Sequence, residues 1–398
     1  MSVAMLLTAV GATVAVAAAF IHWRLAAALA PREALPSPAV FPSITVIRPI
    51  RGLDVGAAEN IRAAFVNDYP GEIEILFVFD DDTELALPLV RAAIETNAAS
   101  ADARILFAGH PRPGRTGKLN AMIAGLRAAR GELVAFVDSD TRPGPHALTA
   151  LVDTLLSDPG AGAAFAPVVA TSTPQTAGDT GYVLLLNGLY GPEAAFAAKR
   201  KDWELPFIMG QFMIFRRSAI AAIGGLECAD GQLVDDMYLG ARLHAVGLRN
   251  RVSPEAVPII EGGLGLREFW QMYVRWIAFS RTGLAGLSAK WLSVARGALF
   301  WIGFLAAIAA SLLGHPLVAA VNLVGAAIVS ASAIELHHAL GGGRVTARLA
   351  WVSFMLLLVA PVVLFVTYSH REVSWRGRTY RLNAESRLAE ERDPTLAA

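Results

Sequence analysis

Apolar and polar positions are distributed along this chain in two ways. Between residues 43 and 255, short apolar runs alternate with segments of helical period. Elsewhere, apolar residues continue without a charged side chain for about twenty positions at a time, long enough to cross a bilayer as helices. Within the first zone the runs are SITVIRPI (43–50), EILFVFD (74–80), ARILFAG (103–109), ELVAFVD (132–138) and FMIFR (212–216). Helix-like segments at about 55–66, 84–99, 118–129 and 145–157 separate the early ones. Strands alternating with helices predict an α/β domain with a mostly parallel sheet covered on both faces. Ligands of such sheets sit beyond the carboxyl ends of the strands.

The second zone predicts one membrane helix at about 3–23 and three more near 297–314, 316–334 and 349–369, with His315-Pro316 as the break between two of them. Ala28-Leu29-Ala30 resembles a signal-peptide cleavage site. However, no Lys or Arg opens the chain and the apolar run exceeds the usual 7–15 residues or so, so a retained anchor is expected. Arg24, Arg32, Arg48 and Arg51 follow the anchor, and positive charge beside a span marks the cytoplasmic side. That places 24–296 in the cytoplasm, and the alanine- and arginine-rich, lysine-poor composition points to the inner membrane of a bacterium. The far end conflicts with this pattern. Three crossings would leave the carboxyl terminus outside, yet Arg371, Arg376, Arg378 and Arg381 gather there. Either the rule is broken or one apolar segment lies in the interface. Gly341-Gly342-Gly343 reads as a flexible connection between the last two segments.

Composition agrees with a membrane protein. Of 398 residues, 55% are hydrophobic and 17% charged, against roughly 25% charged in soluble domains, and the formal net charge is zero. No nucleic-acid partner is expected. The single cysteine, Cys228, excludes an internal disulfide and fits a reducing compartment.

Two strands end in carboxylates, the second in Asp80-Asp81-Asp82 and the fourth in Asp138-Ser139-Asp140. Paired carboxylates at a strand end suit Mg²⁺ or Mn²⁺, which take oxygen ligands from one or two side chains and from substrate phosphates. The plainer reading, acidic residues capping the next helix, weakens when two such clusters follow successive strands. GRTGKLN (114–120) is not a P-loop: Arg112 stands where its first Gly belongs and Leu119 replaces the magnesium-binding Ser or Thr. Lys118 can still meet a diphosphate, with Asn120 nearby. A third acidic pair, Asp235-Asp236, opens an amphipathic helix carrying Met237, Leu239, Leu243 and Val246. Its bland role is capping; its chemical one is a general base for an acceptor hydroxyl. In REFWQMYVRWIAFSR (267–281), Phe269, Tyr273, Trp276 and Phe279 share a helix face flanked by arginines, which suits a membrane interface.

Three aspartate sites followed by an R-W pair resemble the family two-type glycosyltransferases, and most closely the ceramide glucosyltransferases. The similarity rests on DDD (80–82), DSD (138–140), VDD (234–236) and Met272-Tyr273-Val274-Arg275-Trp276, where the family pattern reads (Q/R)-x-x-R-W. It extends through VIRPIRGLD (46–54), NDYP (67–70), GKLN (117–120), Gly224-Gly225 and SWRGRTYRL (374–382). The resemblance implies a GT-A-type, Rossmann-like catalytic domain (40–262) behind an anchor (1–30). Interfacial helices (263–296), membrane helices (297–370) and a basic, polar tail (371–398) would follow. It further implies an inverting transfer of glucose or N-acetylglucosamine from a UDP-sugar to a lipid hydroxyl. In that scheme Asp80 and Asp82 contact uridine, and Lys118 and Asn120 lie near the nucleotide or diphosphate. Asp138 and Asp140 hold the metal and ribose–phosphate region, Asp236 is the base, and Arg275 and Trp276 stand near diphosphate and acceptor. Three departures stand out. Met272 replaces Gln or Arg, Thr83 falls at a position acidic in the eukaryotic ceramide enzymes, and no histidine occurs in LLNGLYGPEAAF (185–196). Another lipid alcohol then becomes credible, since bacterial hopanoid-associated glycosyltransferases share the architecture. The rivals are a membrane polysaccharide synthase and a non-catalytic nucleotide-sugar sensor or transporter. A transporter should carry ionisable groups within its spans, and the expected spans hold none beyond His22 and His315.

Overall fold

A computed structural model describes residues 2–98, 101–281, 291–369, 372–383 and 387–388. Arg371, residues 282–290 of the expected interfacial segment and 389–398 of the expected tail lie outside the described residues. A long helix, α1 (Val3–Ala28), precedes four strands, β1 (Ile44–Pro49), β2 (Ile73–Phe79), β3 (Asp102–Phe107) and β4 (Leu133–Val137). Helices α2 (Ala57–Ala63), α3 (Leu87–Asn97) and α4 (Gly117–Ala128) connect them, and α5 (Ala147–Leu156) follows. The four strands are parallel in the order β3-β2-β1-β4. Chain direction across the sheet therefore reverses between β1 and β4, which opens a crevice at their carboxyl ends.

The sheet continues with three strands: β5 (Ala161–Phe165), β7 (Phe212–Arg216) and β8 (Arg249–Val252), in the order β4-β7-β5-β8. β7 runs antiparallel to both of its neighbours, so the sheet is mixed. A small parallel pair, β6 (Val168–Ala170) and β9 (Val257–Ile259), stands beside it. β5 reads AGAAF, and alanine has no strand preference to advertise. It is a strand because β7 and β8 supply its hydrogen-bond partners at the centre of the domain.

Both faces of the sheet are covered, as continuous apolar strands require. One face packs on α4, α8 (Arg217–Ala222) and α9 (Asp235–Ala245) through Leu119, Met122, Ile220, Leu239 and Leu243. The other packs on α5 through Leu148, Leu151 and Leu155. That second core runs without a break into α6 (Ala177–Val183), a π-helical turn at Leu184–Tyr190 and α10 (Leu266–Arg281). α7 (Gly191–Lys199) follows the π turn. The shared core also takes in Val352 and Leu356 of α13 (Trp351–Ser369).

Among the described residues, four helices are long and apolar enough to cross a membrane: α1, α11 (Trp291–Leu312), α12 (Pro316–Ala339) and α13. α1, α11 and α12 pack closely through small residues. A Cβ on Gly11 would lie 3.0 Å from Asn322, whose side-chain amide donates to the Leu7 carbonyl at 2.9 Å. α11 and α12 are longer than their apolar runs suggest, and contain Arg296, Glu335, His337 and His338. The expectation of spans with no ionisable group beyond His22 and His315 is corrected accordingly.

α13 behaves differently from the other three. Its approach, residues 340–350, is packed rather than loose: Gly343 lies where a Cβ would come within 2.6 Å of the Thr173 nitrogen, and Val345 belongs to the shared core. Along its length Tyr273 of α10 donates to the Leu356 carbonyl at 3.4 Å, and Trp301 of α11 donates to that of Leu357 at 3.2 Å. After α13 the chain forms a hairpin, β10 (Glu372–Trp375) with β11 (Arg378–Arg381), and Arg378 reaches Asp80 of the α/β domain at 2.7 Å. Both ends of α13 thus return to the domain. With 19 residues it is about 28 Å long, and it packs against α6, α10, α11 and α12 along the way.

This geometry predicts sidedness. In a Cys228→Ser background in sealed membrane vesicles, a cysteine placed at Gly377 should react with an impermeant maleimide from the same side as one placed at Asp82. One at Leu317, exposed in the first turn of α12, should react only from the opposite side. Labelling of positions 377 and 82 from opposite sides would contradict the contacts of the hairpin.

Candidate active site

β1, β2 and β4 end side by side, and each delivers charge to the crevice. The β2 end supplies Asp80, 5% exposed, and the β4 end supplies Asp138 and Asp140. The loop at 138–141 is held from below by Arg48 of β1, itself fully buried, whose guanidinium donates to the Asp138 and Thr141 carbonyls at 3.2 and 2.9 Å. Ser139 donates to Asp54, from the loop after β1. Across the crevice, α4 begins at Gly117 with Thr116 as its cap, the Thr116 hydroxyl accepting from the Leu119 nitrogen at 3.1 Å. That cap aims Lys118 inward. Its ammonium lies 2.6 Å from Asp138 and donates to the Gly210 carbonyl at 3.0 Å. Burial works against the Lys118 charge, but Asp138, Asp235 and Asp236 outweigh it and hold the ammonium above its ordinary value.

The third acidic pair opens α9, as expected, and its two members do different things. Asp235 is buried and accepts the Thr116 hydroxyl at 3.1 Å, tying α9 to the cap of α4. Asp236 packs against Gly210, where a Cβ would come within 2.3 Å of its carboxylate oxygen. Burial pushes Asp236 up to about 6, with Lys118 pulling the other way and Asp235 reinforcing the rise. A group poised there accepts a proton readily near neutral pH.

Lys118, Asp138, Asp140, Asp235 and Asp236 share one cavity of about 340 Å³ with Arg275 and Trp276. Its remaining wall is largely apolar and aromatic, including Leu186, Phe207, Met272 and Phe279. The R-W pair therefore reaches the site from α10. Trp276 rests between Tyr182 and Tyr190, ring centres 5.8 and 5.7 Å away. Burial lowers Arg275 to about 10, helped by Arg376, while Glu261 and Asp140 counteract. Met272 is 7% exposed and contributes apolar wall; Gln271, one place earlier, faces outward.

Two expected residues are placed elsewhere. Asp82 is exposed and lines a separate surface depression with Thr83, Glu84 and Arg91. Between it and the crevice, Asp81 closes a turn on the Thr83 nitrogen at 2.9 Å. Asn120 is buried one turn into α4, and its amide donates to the Ala108 and Gly109 carbonyls at 3.3 and 2.9 Å, fastening the loop after β3. It does not line the crevice.

The main residues missed by sequence reasoning come from the segment read as a polar tail. Trp375, Arg376, Arg378 and Tyr380 of the β10–β11 hairpin close the crevice over Asp80, Lys118 and Asp138. Arg378 and Arg51 both pair with Asp80; Arg376 pairs with Asp54 and lies 3.5 Å from Asp140. The alternation in SWRGRTYRL, with Gly377 at φ 74° in the turn, was the available signal for a hairpin.

Among the described residues, no group of three or more His, Cys, Asp or Glu side chains is set to enclose a metal. The set that suits a hard cation is smaller. Asp138 and Asp140 offer carboxylate oxygens at one edge of the crevice, leaving other positions to phosphate oxygens. Burial and then Asp138 push Asp140 up to about 7, with Arg376 opposing. Carboxylates held this close favour a cation between them.

Comparison with known proteins agrees with this geometry. The sequence matches glycosyl transferase family 21 over residues 4–388. It is 24% identical over 238 residues to ceramide glucosyltransferase 1 of Caenorhabditis elegans, covering 59% of this chain and 49% of that one. It is 27% identical over 259 residues to an N-acetylglucosaminyltransferase of Bradyrhizobium diazoefficiens, covering 60% and 48%. The chain thus spans about half the length of these curated relatives. Among solved structures, a mannosyltransferase of Pyrobaculum calidifontis, in complex with GDP-Man and Mn2+, superposes with a TM-score of 0.57 at 21% identity. That match covers 89% of this chain and 99% of the other, and shows a shared GT-A-type fold. With a match running nearly end to end and the three acidic sites gathered in one crevice, the chain belongs to glycosyl transferase family 21.

Proposed function

We propose that this protein moves a hexose, glucose or N-acetylglucosamine, from a UDP-sugar to the hydroxyl of a membrane lipid, with inversion at the anomeric carbon. The observation that carries the reading is one cavity holding a base candidate and a diphosphate site together, with Lys118 between Asp138 and Asp236. The UDP donor rests on the resemblance to ceramide glucosyltransferases. A lipid acceptor is supported by the named relative in Caenorhabditis elegans, by the apolar wall of the cavity and by four membrane-length helices.

In this scheme Asp80 lies towards the nucleoside, and Lys118, Arg376 and Arg378 offset the charge of the diphosphate. Asp138 and Asp140 would hold Mg²⁺ or Mn²⁺, which when bound neutralises charge developing on the leaving group. Asp236 takes the proton of the acceptor hydroxyl as its oxygen attacks the anomeric carbon; the bond to the diphosphate oxygen breaks, and UDP leaves with that electron pair. Trp276 and Met272 form wall against the acceptor, and Arg275 adds positive charge on the acceptor side. In the same reading α1, α11 and α12 cross the inner membrane of a bacterium, with the catalytic domain in the cytoplasm. α13 then lies at the interface, and the arginines after it fall on the cytoplasmic side, as positive charge should. Incubating the full chain in nanodiscs with labelled UDP-sugar and lipid tests the reading. A chloroform-soluble product supports it, whereas an ethanol-insoluble polymer would indicate a polysaccharide synthase.

Asp236→Asn should lower turnover by about 10²–10⁴-fold while UDP binding, followed by calorimetry, stays within about twofold. Unchanged turnover would remove the base assignment. For the wild type, kcat should be level above pH 6 and fall about tenfold per unit below it, because protonated Asp236 cannot accept the acceptor's proton. Arg378→Ala should raise the KM for the UDP-sugar about tenfold, the scale of one charged hydrogen bond, with a smaller change in kcat. An unchanged donor KM would exclude the hairpin from the diphosphate site.

A further inference from the structure

A second group of cations stands outside the crevice, where α7 ends beside the last turn of α1. Arg24 of α1 is exposed, and so are Lys199, Arg200 and Lys201 at the end of α7. The two guanidinium groups converge on one ring, with Arg24 5.6 Å and Arg200 5.8 Å from the centre of Phe196. Lys199 donates to the Ala27 carbonyl at 2.7 Å, which ties the end of α7 to the end of α1. Among the described residues none of the four cations has a carboxylate partner, and Asp202, the next residue, pairs instead with Arg251 at 3.3 Å. Four like charges thus stand together without a counter-charge, an arrangement that attracts an anion.

The turn that carries these charges is fixed in shape and in depth. Asp202 and Trp203 follow with φ of 52° and 61°, a region that residues with side chains seldom adopt. The Trp203 nitrogen donates to the Ala198 carbonyl at 2.7 Å, and the Arg32 guanidinium lies 3.9 Å over the Trp203 ring. Phe196 packs with Leu25 and Ala28 of α1, Leu292 of α11 and Leu336 of α12. The basic turn therefore begins where the membrane-length helices end. Along α1 from that level, Val16, Phe20 and Trp23 recur at helical spacing and are exposed. Such a stripe suits an acyl chain, and tryptophan beside arginine suits the level of the head groups.

We propose that this surface binds a phospholipid of net negative head-group charge, its phosphate set against Arg24 and Arg200 and an acyl chain along Val16, Phe20 and Trp23. The inference rests on reading α1 as a membrane span with its carboxyl end in the cytoplasm. Guanidinium groups take phosphate oxygens through paired N–H donors, and Lys199 and Lys201 add charge beside them. A choline head would bring a fifth cation to the four already present, whereas a glycerol head brings none. None of the four cations lines the catalytic cavity, so this lipid is neither donor nor acceptor.

Native mass spectrometry of the full chain, released from nanodiscs of equal phosphatidylcholine and phosphatidylglycerol, tests this. The wild type should retain phosphatidylglycerol over phosphatidylcholine by about tenfold, the scale of one or two cations at a membrane surface. Arg24→Gln with Arg200→Gln should bring that ratio to within about twofold of unity, while Arg24→Lys with Arg200→Lys should keep it. Arg91→Gln with Arg127→Gln, which removes two exposed cations from α3 and α4, should leave it unchanged. Should the Arg24 and Arg200 variant not assemble, Lys199→Gln with Lys201→Gln takes its place with the same expected loss. Equal retention of both lipids by the wild type would overturn the proposal, as would a preference that survives the glutamine variants or is lost equally in the lysine or α3–α4 pair. Displacement of phosphatidylglycerol by equimolar inorganic phosphate would assign the surface to a soluble anion and overturn it too. Retention is read without turnover. A preference in a chain that glycosylates no lipid upholds this inference and defeats the proposed function; glycosylation without a preference does the reverse.

Discussion

Carboxylates gathered away from water repel one another, and in this protein Asp80, Asp138, Asp140, Asp235 and Asp236 stand around one crevice. They are held in position by cations that arrive from unrelated parts of the chain. Lys118 comes from the start of α4, Arg48 from the buried middle of the sheet, and Arg376 and Arg378 from a hairpin nearly three hundred residues after Asp80. The path of the polypeptide follows from that balance. After α13 the chain returns to the crevice, because the positive charge needed there is carried at its far end.

On the proposed reading, the same cations give the crevice its affinity for a diphosphate. In the free protein each arginine of the hairpin is paired with a carboxylate. A phosphate group offers those guanidinium groups a bidentate partner of higher charge, and a metal ion offers Asp138 and Asp140 the counter-charge that Arg376 otherwise supplies. Exchange of partners, rather than creation of new charge, is then what donor binding requires. Asp236 is kept out of these ion pairs by its seat against Gly210, and Asp235 by its bond to Thr116. That separation leaves Asp236 with a raised affinity for a proton although a lysine stands close by.

Catalytic and membrane parts are joined by a common core, not by a tether. Phe269, Met272 and Tyr273 of α10 belong to the cluster that contains Leu151 and Ile214 of the sheet region and Val352 and Leu356 of α13. On the proposed reading, a lipid entering from the bilayer side would meet Met272 and Trp276 on a helix whose other contacts reach the sheet. The chemistry and the apolar surface are thus held in fixed relation, which suits an acceptor that stays in the membrane while its head group reacts.

Much of this was legible in the linear chain. β1, β2, β4 and β7 are fully buried apolar runs bounded by charge, so their periodicity and ends could be read directly, and with them the acidic clusters at 80–82, 138–140 and 235–236. The four long apolar helices were legible for the same reason, since uncharged runs of that length have few other uses. Other features could not be read locally. The alanine-rich β5 carries no propensity signal, and the reversal of β7 depends on which neighbours it meets. Asp82 and Asn120 were equivalent to Asp80 and Lys118 as letters; only the turn closed by Asp81, and the loop carbonyls waiting for the Asn120 amide, set them apart. Arg24 and Arg200, which meet at Phe196, lie more than a hundred residues apart. What residue types, spacing and hydropathy record is local preference, and this determined the elements, the membrane character and the chemistry on offer. Which charges face each other across the crevice depends on long-range pairing energies that no single segment contains, so only the tertiary structure decided it.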